Sequence, residues 1–442
     1  MAAPGRRTWR LAAALLAPVA LAGLLLVGLA GRKPVPSSGD VARGARDAAP
    51  PGLWSPARDV PAAPGVSEAA AERLAALPYL QGYKPAPGHK GVTVHDRRRA
   101  QEGVNLVVSG HAAEAFLMDM DGARLHAWKR PVEQVWPDAD RAAEGARYWR
   151  RAHAFENGDL LAIFDGVGLV RLDRHSRPIW SYRAQCHHDL YVEGDAIYVL
   201  TRELRLIPEV HDTRPSLEDF VTVLGPDGRP RRRVSLYAAF RNSPYSPLLA
   251  RVSHGGDIFH TNTLTILDGS LSGRWPLFAR GRALVSLRNL DTVALVDLES
   301  EKVLWALTGL WRAQHEPSLL PTGRLLVFDN AGRGGRSQVL ELDPFTQQVS
   351  WRYPADGQGA DLVSETSGST ERLENGNTLI TESTAGRALE VTPEGRIVWE
   401  FWNPHRAGER HELIATLLEV VRLPRAFGRE AGWLREGSAP PE

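Results

Sequence analysis

One β-rich unit can be read six times between about residue 90 and residue 405, and this repeat constrains the fold more than any other feature of the chain. The copies open at VTVHD (92–96), RAHAF (151–155), HHDLYV (187–192), IFHTNTLTI (258–266), QHEPSLL (314–320) and GSTERL (368–373). Each passes through a turn, often Asp-Gly or Asn-Gly, which supplies the positive φ of a tight hairpin. Runs rich in Val, Leu and Ile at strand length follow. Five copies end on a tryptophan: Trp128, Trp180, Trp305, Trp351 and Trp399. Each unit holds about four strands, one blade of a β-propeller, and radial closure removes exposed sheet edges. The repeated tryptophan reads as packing between blades. The expected fold is all-β, a six-bladed β-propeller preceded by an N-terminal transmembrane or signal helix.

Balance of charge excludes a global attraction to nucleic acid, since 53 Lys and Arg face 52 Asp and Glu. The single cysteine, Cys186, rules out an intrachain disulfide and a Cys-rich metal site. Leu11 to Ala30 is uncharged and apolar behind Arg6, Arg7 and Arg10. That length spans a bilayer as a helix. An uncleaved anchor is the favoured reading, and a cleaved signal ending at Ala20-Leu21-Ala22 is the alternative. The expected layout is an anchor over 1–33, a linker with a short helix from Ser67 over 34–75, the propeller with a helical extension over 76–425, and a tail over 426–442. The apolar stretch His411 to Leu423 reads as helix-like, packed under the propeller. The body is expected at the inner membrane, facing the periplasm or cell exterior.

The innermost strand of each blade lines the channel. The alignment sends His95, His153, His188, His260, His315 and Ser369 or Thr370 to one equivalent position, five of the chain's fourteen histidines. Imidazoles converging on one axis cost stability unless they serve something. Arg288 closes the strand LVSLR beside the same mouth and suits an oxyanion with several oxygens. A three-histidine metal site is the rival, against which the arginine's own charge argues. No metal and no cofactor is expected.

Four stretches resemble the bacterial arylsulfotransferase family: HHD at 187–189, HTN at 260–262, SLRNLDTVALVD at 286–297, and QHEPSLLPTGRLLVFDNAGRGGRSQV at 314–339. The run RLENGNTLITEST with GRALEVTPEGRIVWEF is also similar. Family members in the periplasm carry a large β-rich N-terminal domain, so the resemblance is to a divergent branch lacking it. It implies sulfuryl transfer from a phenolic sulfate ester to a phenol, independent of nucleotide sulfate donors. His315 would be the nucleophile, becoming a sulfohistidine. His260, His188 and Arg288 would complete the catalytic set, with Asn262, His153 and Thr370 binding substrate. The partners implied are small-molecule aryl sulfates and phenols, a membrane through the N-terminal helix, and a second copy of the chain as a further candidate. A membrane-anchored, non-catalytic propeller binding an anionic ligand or a protein is the alternative function.

Overall fold

The computed structural model describes residues 82–434, apart from 142, 143, 214, 356–361, 409, 430 and 431. The expected anchor, linker and Ser67 helix lie outside the described residues. No helix among the described residues is long and apolar enough to cross a membrane.

Six antiparallel sheets follow one another along the chain, as the repeat requires. Blade 2 runs from Arg151–Ala154 to Pro178–Tyr182, and blade 3 from Cys186–Glu193 to Pro230–Ser235. Blade 4 spans Thr261–Ile266 to Lys302–Thr308, and blade 5 His315–Leu319 to Val349–Tyr353. Blade 6 runs from Ser369–Arg372 to Ile397–Trp402 and gains a fifth, outer strand, Gly91–His95.

Blade 1 corrects the reading of the first repeat. Its inner strand is Leu417–Leu423 from the far end of the chain, paired antiparallel with Val104–Ser109. His95 therefore lies on the outer edge of blade 6, where Trp399 is its ladder partner and Asp121 holds its Nδ1 at 2.8 Å. The stretch expected to be a helical extension is this closing strand. Its residues LLEVVRL are buried on both faces, and β-branched Val420 and Val421 suit a strand better than a helix. The expected tail also begins as packed structure: Phe427 and Leu434 join the core between blades 1 and 2.

Burial explains why the hydrophobic runs do not alternate. A blade is covered by a neighbour on each face, so VNLVVS, LLAIF and LLVFD are buried at every residue. Six apolar clusters result, one at each junction between neighbouring blades. The repeated tryptophans pin these junctions. Nε1 of Trp128 donates to the Gly158 carbonyl of blade 2, and Trp180 to Pro226 of blade 3. Trp351 reaches Pro393 of blade 6, and Trp399 reaches Met120 of blade 1, closing the ring. Each indole thus buries a large apolar face while its one donor stays satisfied.

Trp399 is fully buried, whereas Trp180 is only half-buried. Trp399→Ala is expected to cost about 3–5 kcal/mol in denaturant unfolding and Trp180→Ala distinctly less. Equal costs would show that the closing junction is no more tightly built than the others.

Candidate functional site

The inner strands all enter the channel from the same end, so residues at their starts share one mouth. Blade 3 supplies His188, blade 4 His260 and blade 5 His315, with Arg288 following the second strand of blade 4. His188, Arg288 and His315 are buried. The rings of His188 and His260 meet edge to face at 4.7 Å between centroids. Arg288 is tied to the same loop, its backbone N–H donating to the His260 carbonyl. The charges of Arg288 and His260 both act on His315. The four residues expected to be catalytic are thus one cluster.

Backbone strain concentrates here. Of ten non-glycine residues with positive φ among the described residues, five flank this mouth: His188, His260, Ala313, Glu316 and Ser367. Each costs on the order of 1–3 kcal/mol and persists only where the surroundings enforce it.

Hydrogen bonds set the form of each imidazole. Nδ1 of His315 lies 2.7 Å from Asn330 Oδ1 and 3.0 Å from the Ala313 carbonyl. The Asn330 amide donates to the carbonyls of Ser364 and Ser367, which turns its oxygen toward His315. Two acceptors require Nδ1 to carry the proton, so Nε2 keeps its lone pair. Burial, then the charge of Arg288, holds the His315 pKa well below the usual imidazole value. His315 is a neutral imidazole held in one orientation, with the lone pair on Nε2.

His260 sits on a carboxylate instead. Asp257 accepts from both its backbone N–H at 2.8 Å and its Nδ1 at 2.6 Å. Burial opposes ionisation of Asp257, but the His260 charge outweighs it and holds the carboxyl at about 2. This pair can take up and release a proton at Nε2. Nδ1 of His188 lies 3.0 Å from Nδ1 of His187, and burial holds both imidazoles well below the usual range.

The other expected site residues behave differently. Asn262 is buried, but its amide donates to the Gln314 carbonyl, joining blade 4 to the start of blade 5. Thr370 is buried on the inner strand of blade 6, and its hydroxyl has no partner among the described residues. His153 is displaced from the expected position. Arg151 pairs with Ile163 as His315 pairs with Phe328, each partner being the fourth residue of its strand. His153 is thus two residues farther from the mouth, edge-on to Phe155 at 4.8 Å. A bulge between His315 and Ser318 hid this offset from linear alignment.

Four residues of the site carried no role in the sequence reading: Asp257, Asn330, and Arg150 and Arg202, whose charges both act on His188. Asn330 stands inside the VFDN stretch and Arg150 directly precedes RAHAF, so only position near a repeat start marked them.

Among the described residues, one group has metal-ligand geometry: His111, Glu114 and His405, away from the axial cluster. Arg124 already occupies the cation's place there, 2.8 Å from Glu114 and 3.3 Å from His405 Nε2.

The sequence profile of the arylsulfotransferase (ASST) family matches residues 151–404. The chain belongs to this family. It is an arylsulfotransferase enzyme, and the family implies aryl sulfates and phenols as its substrates. No curated protein matches the sequence significantly. Among solved structures, a protein of unknown function from Bacteroides caccae is 13% identical over 72% of this chain and 98% of its own, with a TM-score of 0.44. A catalytically inactive virginiamycin B lyase from Staphylococcus aureus, solved with quinupristin, is 10% identical over 76% of this chain and 95% of its own, with a TM-score of 0.41. Likeness at this level says nothing about activity.

His153 of the arylsulfotransferase has its pKa lowered from 6.5 to about 4 by burial. In the unfolded chain the imidazole takes a proton that the fold refuses. Its stabilising contribution is therefore complete above pH 6.5 and is lost as pH falls toward 4. The thermal midpoint should decline across that window, and His153→Phe should make the decline shallower. An unchanged slope in the variant would show that His153 does not drive it.

Proposed function

We propose that the arylsulfotransferase moves a sulfuryl group from a phenolic sulfate ester to a phenolic acceptor through a covalent intermediate on His315. The observation that carries this reading is the Asn330 amide, whose two bonded carbonyls leave His315 Nε2 as the unprotonated nitrogen.

In the first half-reaction His315 Nε2 attacks sulfur. An N–S bond forms, the S–O bond to the aryl group breaks, and its electron pair leaves on the phenolate oxygen. The ring gains positive character, which the carbonyl oxygens of Ala313 and Asn330 stabilise through the Nδ1–H bonds. His260 protonates the departing phenolate, its positive form supported by Asp257. Acceptor phenol then loses its proton to the same imidazole and attacks sulfur, returning the N–S pair to His315. Transfer of this kind has a loose transition state with charge spread over three oxygens, so positioning and cationic donors dominate. Arg288 is the donor tied to the His260 loop.

The N-terminal apolar stretch supports placement of the enzyme as a membrane-anchored protein with the propeller facing the periplasm or cell exterior. Recovery of the full-length protein from membranes only by detergent would bear this out; release by salt would overturn it.

A chromogenic aryl sulfate with a phenol acceptor tests the chemistry. The wild type is expected to give ping-pong kinetics and a sulfuryl mass increment mapped to His315 after incubation with donor alone. His315→Ala should remove both while unfolding at the wild-type midpoint. Transfer by this variant at the wild-type rate would exclude His315 as nucleophile. Asn330→Leu, which frees the tautomer, is expected to lower kcat by about 10²–10⁴-fold. A kcat within twofold of wild type would show that the Asn330 bond is not needed.

A further inference from the structure

Arg150 and Arg151 stand side by side at the start of blade 2, and among the described residues only Arg151 makes direct ion pairs. Arg151 is paired with Asp189 at 2.7 Å, with both oxygens of Glu316 at 2.9 and 2.8 Å, and with Glu419. Arg150 is just as buried. Its guanidinium donates to the Ser367 hydroxyl of blade 6 at a long 3.3 Å. Its Nε has no partner among the described residues, and no ion pair there joins it to a carboxylate. Reaching a blade 6 residue from blade 2 carries this side chain past blade 1, into the mouth of the channel. Blade 2 stands across the six-membered ring from blade 5, which carries His315. The charge of Arg150 acts on His188 and His315 alike, and also on the Glu316 and Glu419 carboxyls of the neighbouring Arg151 network.

A buried guanidinium with open donors is expensive unless an anion completes it. We propose that Arg150 is a second guanidinium clamp, binding an oxygen of the sulfuryl group opposite the nucleophile and completing the cradle begun by Arg288. This rests on the sulfuryl-transfer reading of the same site. It adds a charged donor that stays with the SO₃ group through both half-reactions, while the aryl groups exchange. Because the donors are fixed before substrate arrives, they need no reorganisation as charge shifts onto the oxygens. The same charge disfavours protonation of His315 and keeps Nε2 available in mild acid.

The test uses Arg150→Gln and Arg150→Lys in the full chain, with thermal unfolding to confirm that each is folded. Binding is read by calorimetry with 4-nitrophenyl sulfate in a His315→Ala background, where no turnover interferes. Arg150→Gln is expected to weaken binding about 10-fold and to lower kcat of the otherwise wild-type enzyme about 10²-fold. The acid limb of its kcat/KM profile should move to higher pH, because His315 loses a neighbouring cation. Arg150→Lys should keep the limb in place yet lose kcat, since a point charge replaces a planar fork. A structural role alone would not separate the two variants in this way. Unchanged affinity, kcat and acid limb in Arg150→Gln would overturn the proposal, as would Arg150→Lys alone if it matched wild type while Arg150→Gln failed to fold. Should the wild type turn over no aryl sulfate, the sulfuryl-transfer reading falls, and the binding measurement still decides whether Arg150 holds the anion.

Discussion

Leu417–Leu423 does two things at once: it closes the ring as the inner strand of blade 1, and it brings Glu419 to the axis. There Glu419 meets Arg151 of blade 2, which also holds Asp189 of blade 3 and Glu316 of blade 5. One guanidinium thus joins four blades. Glu316 directly follows His315 and holds a left-handed backbone, so this ion network acts on the conformation of His315. Burial raises the Glu419 pKa to about 8 against the pull of Arg151. Glu419 then carries little charge at neutral pH, and Arg151 remains paired with Asp189 and Glu316. Removing one partner from such a network leaves a buried charge uncompensated, at about 3–5 kcal/mol. Closure of the fold and assembly of the mouth are the same physical event.

The strained residues fit this picture. Left-handed backbone at His188, His260 and Glu316 turns the chain sharply where a loop delivers an inner strand. A histidine there is presented at the rim instead of continuing a ladder. Rigid scaffolding offsets the cost: in blades 4 and 5 the inner strand is bonded to a second strand buried on both faces. Such a mouth holds its imidazoles at fixed separations without the substrate's help.

Much of this was legible in the sequence, and the failures share one cause. Periodicity found the blades, because strands covered on both faces leave unbroken apolar runs at regular spacing. Repeat position also found His188, His260 and His315. It misplaced His95 because the ring is closed by a strand that lies more than three hundred residues from its partner, and no local pattern shows such a pairing. The same omission made Leu417–Leu423 look like a helix, its apolar character being visible but its partner Val104–Ser109 not. His153 was misaligned by two residues, a register offset to which the one-residue bulge in blade 5 contributes without changing composition. Asn330 and Asp257 escaped notice because their roles are hydrogen bonds to a histidine's far nitrogen, a relation set by three dimensions alone.

Charge at the mouth decides both what can bind and what can react. Arg150, Arg202 and Arg288 gather around the three histidines, and Asp257 is the carboxylate that stays firmly ionised beside them. Asp219, next in line, is pushed up to about 7 by burial and then by the charge of Asp257, so it neutralises little. The balance is positive. A divalent metal ion, the rival occupant for three converging histidines, would enter against that field, while a sulfate monoester enters with it. The field also suppresses protonation of His315, which an isolated imidazole near pH 6.5 would not escape. A carboxylate nucleophile in the same place would be drawn into ion pairs with these guanidinium groups and lose its reactivity. As the proposed nucleophile, a neutral imidazole is sharpened by a cationic cradle instead of quenched, and that compatibility explains why the histidines and arginines occur together.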